Sequence, residues 1–153
     1  MKNDTHPNAT EQQAAYDRLL LKNQLCFPLY AAARKVMRLY TPLLEALHLT
    51  YTQYITMLAL WEQDGQTVSD LGQRLHLDSG TLTPLLKKME KQSLVRRKRS
   101  TSDERVVKIH LTADGLALRQ QALDIPETVA SCIRMSLDDA VELKRLLALI
   151  LDQ

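Results

Sequence analysis

The fold is decided by residues 67–92, which read TVSDLGQRLHLDSGTLTPLLKKMEKQ. The first part predicts a short helix at residues 71–75 that Ser69 could cap, followed by a turn at residues 76–80. A second helix is predicted from residue 79 to about residue 92. Its buried side carries four apolar residues at helical spacing: Leu82, Leu85, Leu86 and Met89. Two short helices joined by a tight turn form a helix-turn-helix.

Two β-strands are predicted directly after the second helix, at residues 94–99 and 105–111. The second strand alternates, with Val107, Ile109 and Leu111 on one face and Lys108 and His110 on the other. A polar turn at residues 100–104 separates the strands, so the pair predicts a β-hairpin, which we call the wing. The chain returns to helix at residue 112. The expected fold is mainly α with a small β-wing, a winged helix-turn-helix with helical regions at both ends.

Helical patterns flank this central region. One runs from residue 11 to 40, and Pro28 is expected to interrupt it by a kink or a local rearrangement. A short segment at residues 43–47 precedes a helix from residue 50 or 52 to 63. After residue 112 we expect helix to the end of the chain with a break at Pro126. Residues 137–151 carry a stripe of leucine and isoleucine that has no sequence-local partner. Either a partner subunit or the chain's own core could cover it.

Charge is concentrated in one part of the chain. Residues 87–108 contain nine basic and three acidic side chains, whereas the whole chain contains 20 basic and 18 acidic side chains. This window therefore carries +6 and the remainder −4, although the net charge is only +2. A basic island on an acidic body is typical of a nucleic-acid contact surface, but a solvated charged face produces the same pattern.

Several classes of protein are disfavoured. No C-x-x-C pair or βαβ pattern supports a thiol enzyme, and no glycine-rich phosphate loop or nucleophile elbow is present. The four scattered histidines and two distant cysteines do not have a metal-binding spacing. We therefore expect no enzymatic activity, no cofactor and no metal. The first residues contain no apolar signal-peptide run, and the longest apolar stretches are too short to cross a bilayer, which favours a cytoplasmic protein without a membrane partner.

The central region resembles the winged-helix core of MarR-type transcriptional regulators. The matching pieces are Asp70-Leu71, Leu82-Thr83-Pro84-Leu85-Leu86, Leu94-Val95-Arg96-Arg97, Asp103-Glu104-Arg105 and Leu111-Thr112-Ala113-Asp114-Gly115. Over residues 21–147 the chain resembles more closely the organic-hydroperoxide resistance regulators, the OhrR branch. That likeness rests on residues 23–30 (NQLCFPLY), 49–54 (LTYTQY), 77–86 (LDSGTLTPLL) and 124–126 (DIP). One departure is Thr52, where the branch usually has proline.

The resemblance implies a homodimeric repressor that frees a peroxide-detoxifying gene when a cysteine is oxidised. Cys26 would be the peroxidatic thiol, and Cys132, typical of the two-cysteine type, the resolving thiol of the other subunit. Tyr40 and Tyr51 would donate hydrogen bonds to the thiolate. Tyr40 lies 14 residues after Cys26, roughly 21 Å along one helix, so it could reach only the cysteine of an antiparallel partner helix. Weaker candidates line an apolar pocket: Leu25, Phe27 and Met57.

The same residue types also have ordinary structural explanations. Two cysteines in a cytoplasmic chain are most often buried small apolar residues, and tyrosines usually belong to cores or interfaces with a polar tip exposed. Only the complete set of Cys26, Tyr40 and Tyr51 favours the redox hypothesis.

On double-stranded DNA, a dimer of this family would place two recognition helices in successive major grooves of a pseudo-palindromic operator. The expected contacts come from the second helix and from the wing: Ser79, Thr81, Thr83, Lys87, Lys88, Arg97, Arg99, Asp103 and Arg105. Arg105 resembles the family's minor-groove arginine, while Asp103 would orient the wing or simply form the turn. The basic run at residues 96–99 adds backbone attraction, although alternation prevents all four side chains from facing DNA.

The predicted organisation has four parts. Residues 1–10 form a disordered tail, 11–48 an N-terminal dimerisation helix, 49–115 the DNA-binding domain and 116–153 the C-terminal dimerisation helices. Two other functions remain open. A regulator of the same fold could respond to a small aromatic ligand bound between its subunits, and a helical interaction module would not bind DNA at all.

Overall fold

The computed structural model describes residues 9–100 and 105–151 of the chain. It divides into two compact units, Met1–Arg38 and Leu39–Gln153, which are treated separately below. The predicted tail at residues 1–10 lies almost entirely outside the described residues. Within the described ranges, no helix is both long and apolar enough to span a lipid bilayer.

The first unit is helical but is interrupted earlier than the sequence predicts. Helix α1 spans Ala9–Asp17, a short 3-10 helix spans Leu21–Asn23, and α2 begins at Cys26. The side chains of Asn23 and Gln24 donate to the carbonyl oxygens of Asp17 and Arg18, at 2.7 and 2.5 Å, in the segment between α1 and α2. The predicted interruption is therefore present but precedes Pro28, and the kink expected at Pro28 itself is wrong. Pro28 lies in the first turn of α2, where its missing N–H has no helical acceptor to lose.

Helix α2 spans Cys26–Glu45, so its last residues belong to the second unit. The sequence predicts an end near Tyr40, but the helix includes Pro42 and continues to Glu45. Leu44, 2% exposed, lies in the same apolar cluster as Leu49. Burial of Leu44 stabilises the final turn of the helix and offsets the single hydrogen bond that Pro42 cannot make.

The second unit contains the predicted winged helix-turn-helix, which confirms the fold class. Its helices and strands are α3 Tyr51–Glu62, β1 Gln66–Thr67, α4 Val68–Leu75, α5 Ser79–Lys91, β2 Val95–Arg99, β3 Val107–Leu111, α6 Ala113–Gln121, α7 Ile125–Ser131 and α8 Leu137–Leu151. Helix α4 is capped by Thr67, in a capping box with Asp70, and not by Ser69. The C-terminal helix breaks after Gln121, before Pro126, which occupies the first turn of α7.

The sheet is antiparallel with strand order β1-β3-β2. Arg97 pairs with Ile109 in the hairpin, and Gln66 of β1 pairs with Ile109 on the other side. The hairpin was predicted, but β1 was not, because two residues show no alternation. Strands β1 and β2 are the two outer strands of the sheet, so one edge of β2 faces away from β3.

Two apolar clusters hold this unit together. The helix-turn-helix and wing share the first: Met57, Ala59, Leu60, Leu71, Leu82, Leu86, Met89, Val95 and Ile109. Three of the four apolar residues predicted on the inner face of α5 are fully buried there, and Leu85 is half-buried. The second cluster joins the end of α2 with α3, α6 and α7: Leu44, Leu49, Tyr54, Leu118, Ala122, Ile125 and Val129.

Helix α8 is the exception to this packing. None of its fifteen residues is buried, and Leu137 is 86% exposed. Much of the predicted apolar stripe is also exposed: Leu143, Leu146, Ile150 and Leu151. The chain's own core therefore does not bury this helix.

Candidate nucleic-acid interface and thiol sites

The outer face of α5 presents the polar residues that the sequence predicts. Ser79, Thr81, Lys87 and Lys88 are exposed, and Thr83 is half-buried. Thr81, Lys87 and Lys88 lie away from the buried Leu82, Leu86 and Met89 because of helical periodicity. Ser79 lies three residues before Leu82, on the buried side, and is exposed at the first position of the helix. This arrangement leaves hydroxyl and ammonium groups facing outward on a helix fixed by its inner face.

The N-terminus of α5 is capped by Asp78. One carboxylate oxygen accepts from the backbone N–H of Thr81 at 2.8 Å, and the other accepts from the Thr81 hydroxyl at 3.0 Å. Hydrogen bonds from the Thr81 backbone and hydroxyl hold the pKa of Asp78 below its ordinary value. The hydroxyl proton of Thr81 is therefore engaged by the cap, and only its oxygen lone pairs can meet an outside donor.

The wing divides its basic residues between two environments. Arg99 is exposed on β2, and Arg105 is exposed just before β3, whereas Arg97 is half-buried. Arg97 and Arg105 line a cleft with Thr83 of α5 and Thr67 and Ser69 near the start of α4. Asp103 lies outside the described residues.

Arg97 is joined to α5 by Glu90. Its backbone N–H donates to Glu90 Oε1 at 2.9 Å, and its guanidinium Nη1 lies 3.8 Å from Glu90 Oε2. The Arg97 Nε is buried and has no hydrogen-bond acceptor in the part of the chain that the structure describes. Sequence alternation indicated that the basic run could not face one way, but it could not identify Arg97 as the inward member.

Both cysteines are free and exposed, in contrast to the buried positions that cysteines usually occupy. Cys26 is the first residue of α2, where backbone N–H groups have no acceptor within the helix. Cys132 is the C-terminal capping residue of α7. Cys26 belongs to the first unit and Cys132 to the second. Either thiol is accessible to a dissolved oxidant.

Tyr40 and Tyr51 lie together in the second unit. Their ring centroids are 5.1 Å apart in an edge-on arrangement, and a third ring, Tyr54, lies 5.8 Å from Tyr40. Burial, followed by the proximity of Tyr51, raises the pKa of Tyr40. Burial, followed by Tyr40 and Tyr51, raises the pKa of Tyr54. The Tyr40 and Tyr54 phenols therefore stay protonated at neutral pH and can act as donors.

Tyr54 was not predicted as a member of this group. The available signal was its position three residues after Tyr51 on one helix, which places both rings on one face. The weaker pocket candidates separate: Leu25 and Phe27 are exposed in the first unit, whereas Met57 is completely buried in the winged-helix core. Met57 therefore has a packing role there.

A polar network that the sequence did not reveal begins beside Tyr51. Thr50 caps α3 in a reciprocal box with Gln53, whose side-chain oxygen accepts from the Thr50 backbone N–H at 2.9 Å. The Gln53 amide donates to the side-chain oxygen of Gln92 at the end of α5, and Gln92 donates to the carbonyl of His48. The segment that carries the tyrosines is thus hydrogen-bonded to the C-terminus of the helix that carries the candidate DNA contacts.

No group of three or more His, Cys, Asp or Glu side chains within residues 9–100 and 105–151 is placed to hold a metal ion.

Comparison with known proteins is consistent across sequence and structure. Residues 38–121 match the family model described as transcriptional regulator SarA/Rot. The chain is 49% identical over 137 residues to the organic hydroperoxide resistance transcriptional regulator of Bacillus subtilis (strain 168), covering 90% of this chain and 93% of that protein.

Two solved structures of AbfR, a protein of Staphylococcus epidermidis, are also similar. Reduced AbfR bound to DNA matches with a TM-score of 0.73 and 36% identity, over 88% of this chain and 92% of that chain. Disulfide-formed AbfR matches with a TM-score of 0.62 and 35% identity, over 92% of this chain and 98% of that chain.

Proposed function

Since this chain belongs to the MarR-type, SarA/Rot-related family of winged-helix transcriptional regulators, we propose that it is a DNA-binding repressor released by organic hydroperoxides through oxidation of Cys26. The observation that carries the DNA-binding part is the two-faced α5. Its inner face is fixed by Leu82, Leu86 and Met89, and its outer face offers hydroxyl and ammonium groups. Lys87 and Lys88 suit phosphate contacts, and Ser79, Thr81 and Thr83 suit phosphate or base contacts.

The wing supplies the second part of the proposed DNA interface. Arg99 and Arg105 are exposed, and the cleft lined by Arg105 and Thr83 lies between the wing and α5. We place Arg105 in a minor groove beside the major groove that receives α5, and Asp103 as the residue that orients the wing.

Two copies of the chain form the proposed repressor. Exposed apolar side chains on α8, among them Leu137, Val141 and Leu149, supply a surface that a second copy can bury. A twofold dimer presents two α5 helices, which matches a pseudo-palindromic operator. In this assembly residues 11–48 and 116–153 are the dimerisation regions.

The proposed redox step begins with the Cys26 thiolate. It attacks the terminal oxygen of the hydroperoxide, the O–O bond breaks, and the other oxygen leaves with the hydroperoxide proton as an alcohol. Cys26 becomes a sulfenate, which takes up a proton from water to give the sulfenic acid. The thiol of Cys132 of the partner subunit then displaces the hydroxyl group as water and forms a disulfide. Cys26 is exposed to the oxidant, and a disulfide form is known for AbfR, which supports the scheme.

Tyr40 and Tyr51 are proposed to hold the reacting sulfur across the dimer. The raised pKa of Tyr40 keeps its phenol protonated, so it can donate a hydrogen bond to a thiolate or sulfenate. Its edge-on contact with Tyr51 restrains both rings. The Tyr40 phenol therefore stabilises negative sulfur without losing its proton at neutral pH.

The test is a DNA titration on a palindromic promoter duplex with reduced protein and with protein treated with cumene hydroperoxide. Binding should be lost on oxidation and restored by a thiol reductant. Cys26→Ser should bind the duplex and keep it in the presence of peroxide. Peroxide-driven release of that variant would contradict the sensor assignment, and peroxide-insensitive binding by the wild type would favour regulation by a small aromatic ligand.

The disulfide has its own control. Cys132→Ser should still form a sulfenic acid, detectable with a dimedone probe, but should lose the crosslinked dimer on a non-reducing gel. A crosslinked dimer that persists in this variant would exclude Cys132 as the resolving thiol. Failure of the wild type to bind any duplex would support the interaction-module alternative.

A further inference from the structure

The environment of Arg97 differs from that of a DNA-contacting arginine. Its side chain is 26% exposed, and its Nε is buried without an acceptor in the described residues. Exposed Arg96 and Lys98 flank it on the same strand, because alternate residues of a strand point to opposite faces. Arg97 therefore points toward the body of the winged helix while its neighbours face away.

Glu90 uses both of its carboxylate oxygens on this one residue. Oε1 accepts the Arg97 backbone N–H at 2.9 Å, and Oε2 lies 3.8 Å from Nη1 of the guanidinium. That N–H lies on the outer edge of the sheet, where the described part of the chain provides no further strand to accept it. A side chain of α5 thus takes the place of a strand partner for β2.

This contact joins the two elements that must meet DNA together. Glu90 lies near the C-terminus of α5, and Arg97 is at the middle of β2, so the pair connects the candidate recognition helix to the wing. The groove positions of α5 and of Arg105 depend on the angle between these elements. A carboxylate that accepts a backbone hydrogen bond, and also lies at ion-pair distance from the guanidinium of the same residue, restrains that angle more firmly than an isolated surface ion pair.

We propose that Glu90 and Arg97 are positioning residues that hold the wing in register with the recognition helix, and that Arg97 does not contact DNA. The inference rests on the proposed DNA binding and revises one of its expected contacts. Glu90 is an acidic residue within the basic window, and its role explains why a negative charge lies beside a DNA-facing surface. Its carboxylate is directed at Arg97 of the wing and affects DNA binding through the position of the wing.

The test asks whether substitution of Glu90 weakens or strengthens binding to the operator duplex. Glu90→Leu removes both the acceptor of the Arg97 N–H and the charge. If Glu90 positions the wing, this variant should bind the operator duplex about fivefold more weakly than wild type. If Arg97 instead grips phosphate, removal of a nearby negative charge should tighten binding, because the carboxylate competes with DNA for the guanidinium.

The salt dependence provides a second, independent readout. For Arg97→Gln the slope of log K against log salt should equal that of the wild type, since no phosphate contact is lost. Lys88→Gln is the matched comparison, and loss of one phosphate contact should lower its slope by about 0.9. A merely structural loss of folded protein is detected by urea unfolding of each variant, and affinities are compared where all variants are folded.

The double variant completes the cycle. The double variant Glu90→Leu with Arg97→Gln should bind no more weakly than the weaker single variant, because both changes act on the same restraint. Tighter binding by Glu90→Leu, additive losses of affinity, or a reduced salt slope for Arg97→Gln would each overturn the proposal and leave the DNA-binding function standing. Absence of duplex binding by the wild type would overturn both the positioning role and the proposed DNA-binding function. This outcome is seen before any variant is compared.

Discussion

The side-chain amide of Gln53 donates a hydrogen bond to the side-chain oxygen of Gln92 at 2.6 Å, although 39 residues separate them in sequence. Gln53 is 1% exposed, so this bond replaces its hydration. Together with the bond from Gln92 to the His48 carbonyl, it ties the start of α3 to the end of α5.

Gln53→Leu should lower the free energy of unfolding by about 1–3 kcal/mol, because it strips the Thr50 N–H and the Gln92 oxygen of their partner. Urea denaturation measures the change. Gln120→Leu, an exposed glutamine on α6, is the control and should change stability by less than about 0.5 kcal/mol. Equal effects of the two substitutions would show that the buried bridge contributes nothing.

Gly115 allows α6 to cross the end of the wing closely. A Cβ placed there would lie 2.0 Å from the carbonyl oxygen of Leu94, which itself accepts the Thr112 N–H. Gly115→Ala should therefore destabilise the fold by more than about 3 kcal/mol, since a backbone atom must move. Ala117→Gly, at an exposed position of the same helix, should cost only about 1 kcal/mol in the same thermal or urea assay. A smaller loss for Gly115→Ala than for the control would contradict the close crossing.

The Asp78 cap should make the stability of α5 dependent on pH in the acid range. The pKa of Asp78 is lowered in the folded protein, so its stabilising contribution is present above the ordinary value of 3.8 and is lost as pH falls through the folded value. The stability difference between wild type and Asp78→Ala should be full at about pH 7 and should narrow toward about pH 3. Asp78→Asn, which keeps an acceptor oxygen without the titrating group, separates hydrogen bonding from charge. A difference that stays constant with pH would show that the charge of the cap is unimportant.

The buried tyrosines should make the stability of the fold decrease as the pH rises in the alkaline range. The pKa of Tyr54 is raised above 10.0, so its contribution is complete below that value and is lost as pH rises through the folded value. Relative to Tyr54→Phe, the wild type should lose stability between about pH 8 and about pH 10.5, as followed by urea unfolding. Leu60→Met, a buried change without a titrating group, should lower stability equally at both values. A parallel response of wild type and Tyr54→Phe would contradict the pKa shift.

Local patterns were sufficient for the winged helix-turn-helix. The apolar spacing of α5 and the alternation in β3 are both properties of short segments, and the structure confirms them. The cap of α4 was misplaced by two residues because both Thr67 and Ser69 can cap. The partner Asp70, three residues after Thr67, decides between them.

The ends of the flanking helices do not follow from the positions of the prolines alone. A proline interrupts a helix only where its missing N–H would have been used, and Pro28 is too near the start of α2 for that. The continuation through Pro42 depends on burial of Leu44, which is a tertiary effect. The contacts Gln53–Gln92 and Glu90–Arg97 could not be predicted from the sequence either. Each joins separate elements, and neither follows from the spacing of residues along one helix or strand.

The hydrogen bond from the Arg97 N–H to Glu90 also limits aggregation of the protein when it is not bound to DNA. An outer strand usually offers backbone donors and acceptors with which another polypeptide can extend the sheet. In β2 the outward N–H of Arg97 is already occupied by Glu90, and Arg96, Lys98 and Arg99 repel a second copy of the same strand. The exposed hairpin is therefore protected against edge-to-edge aggregation by the same carboxylate that joins it to α5.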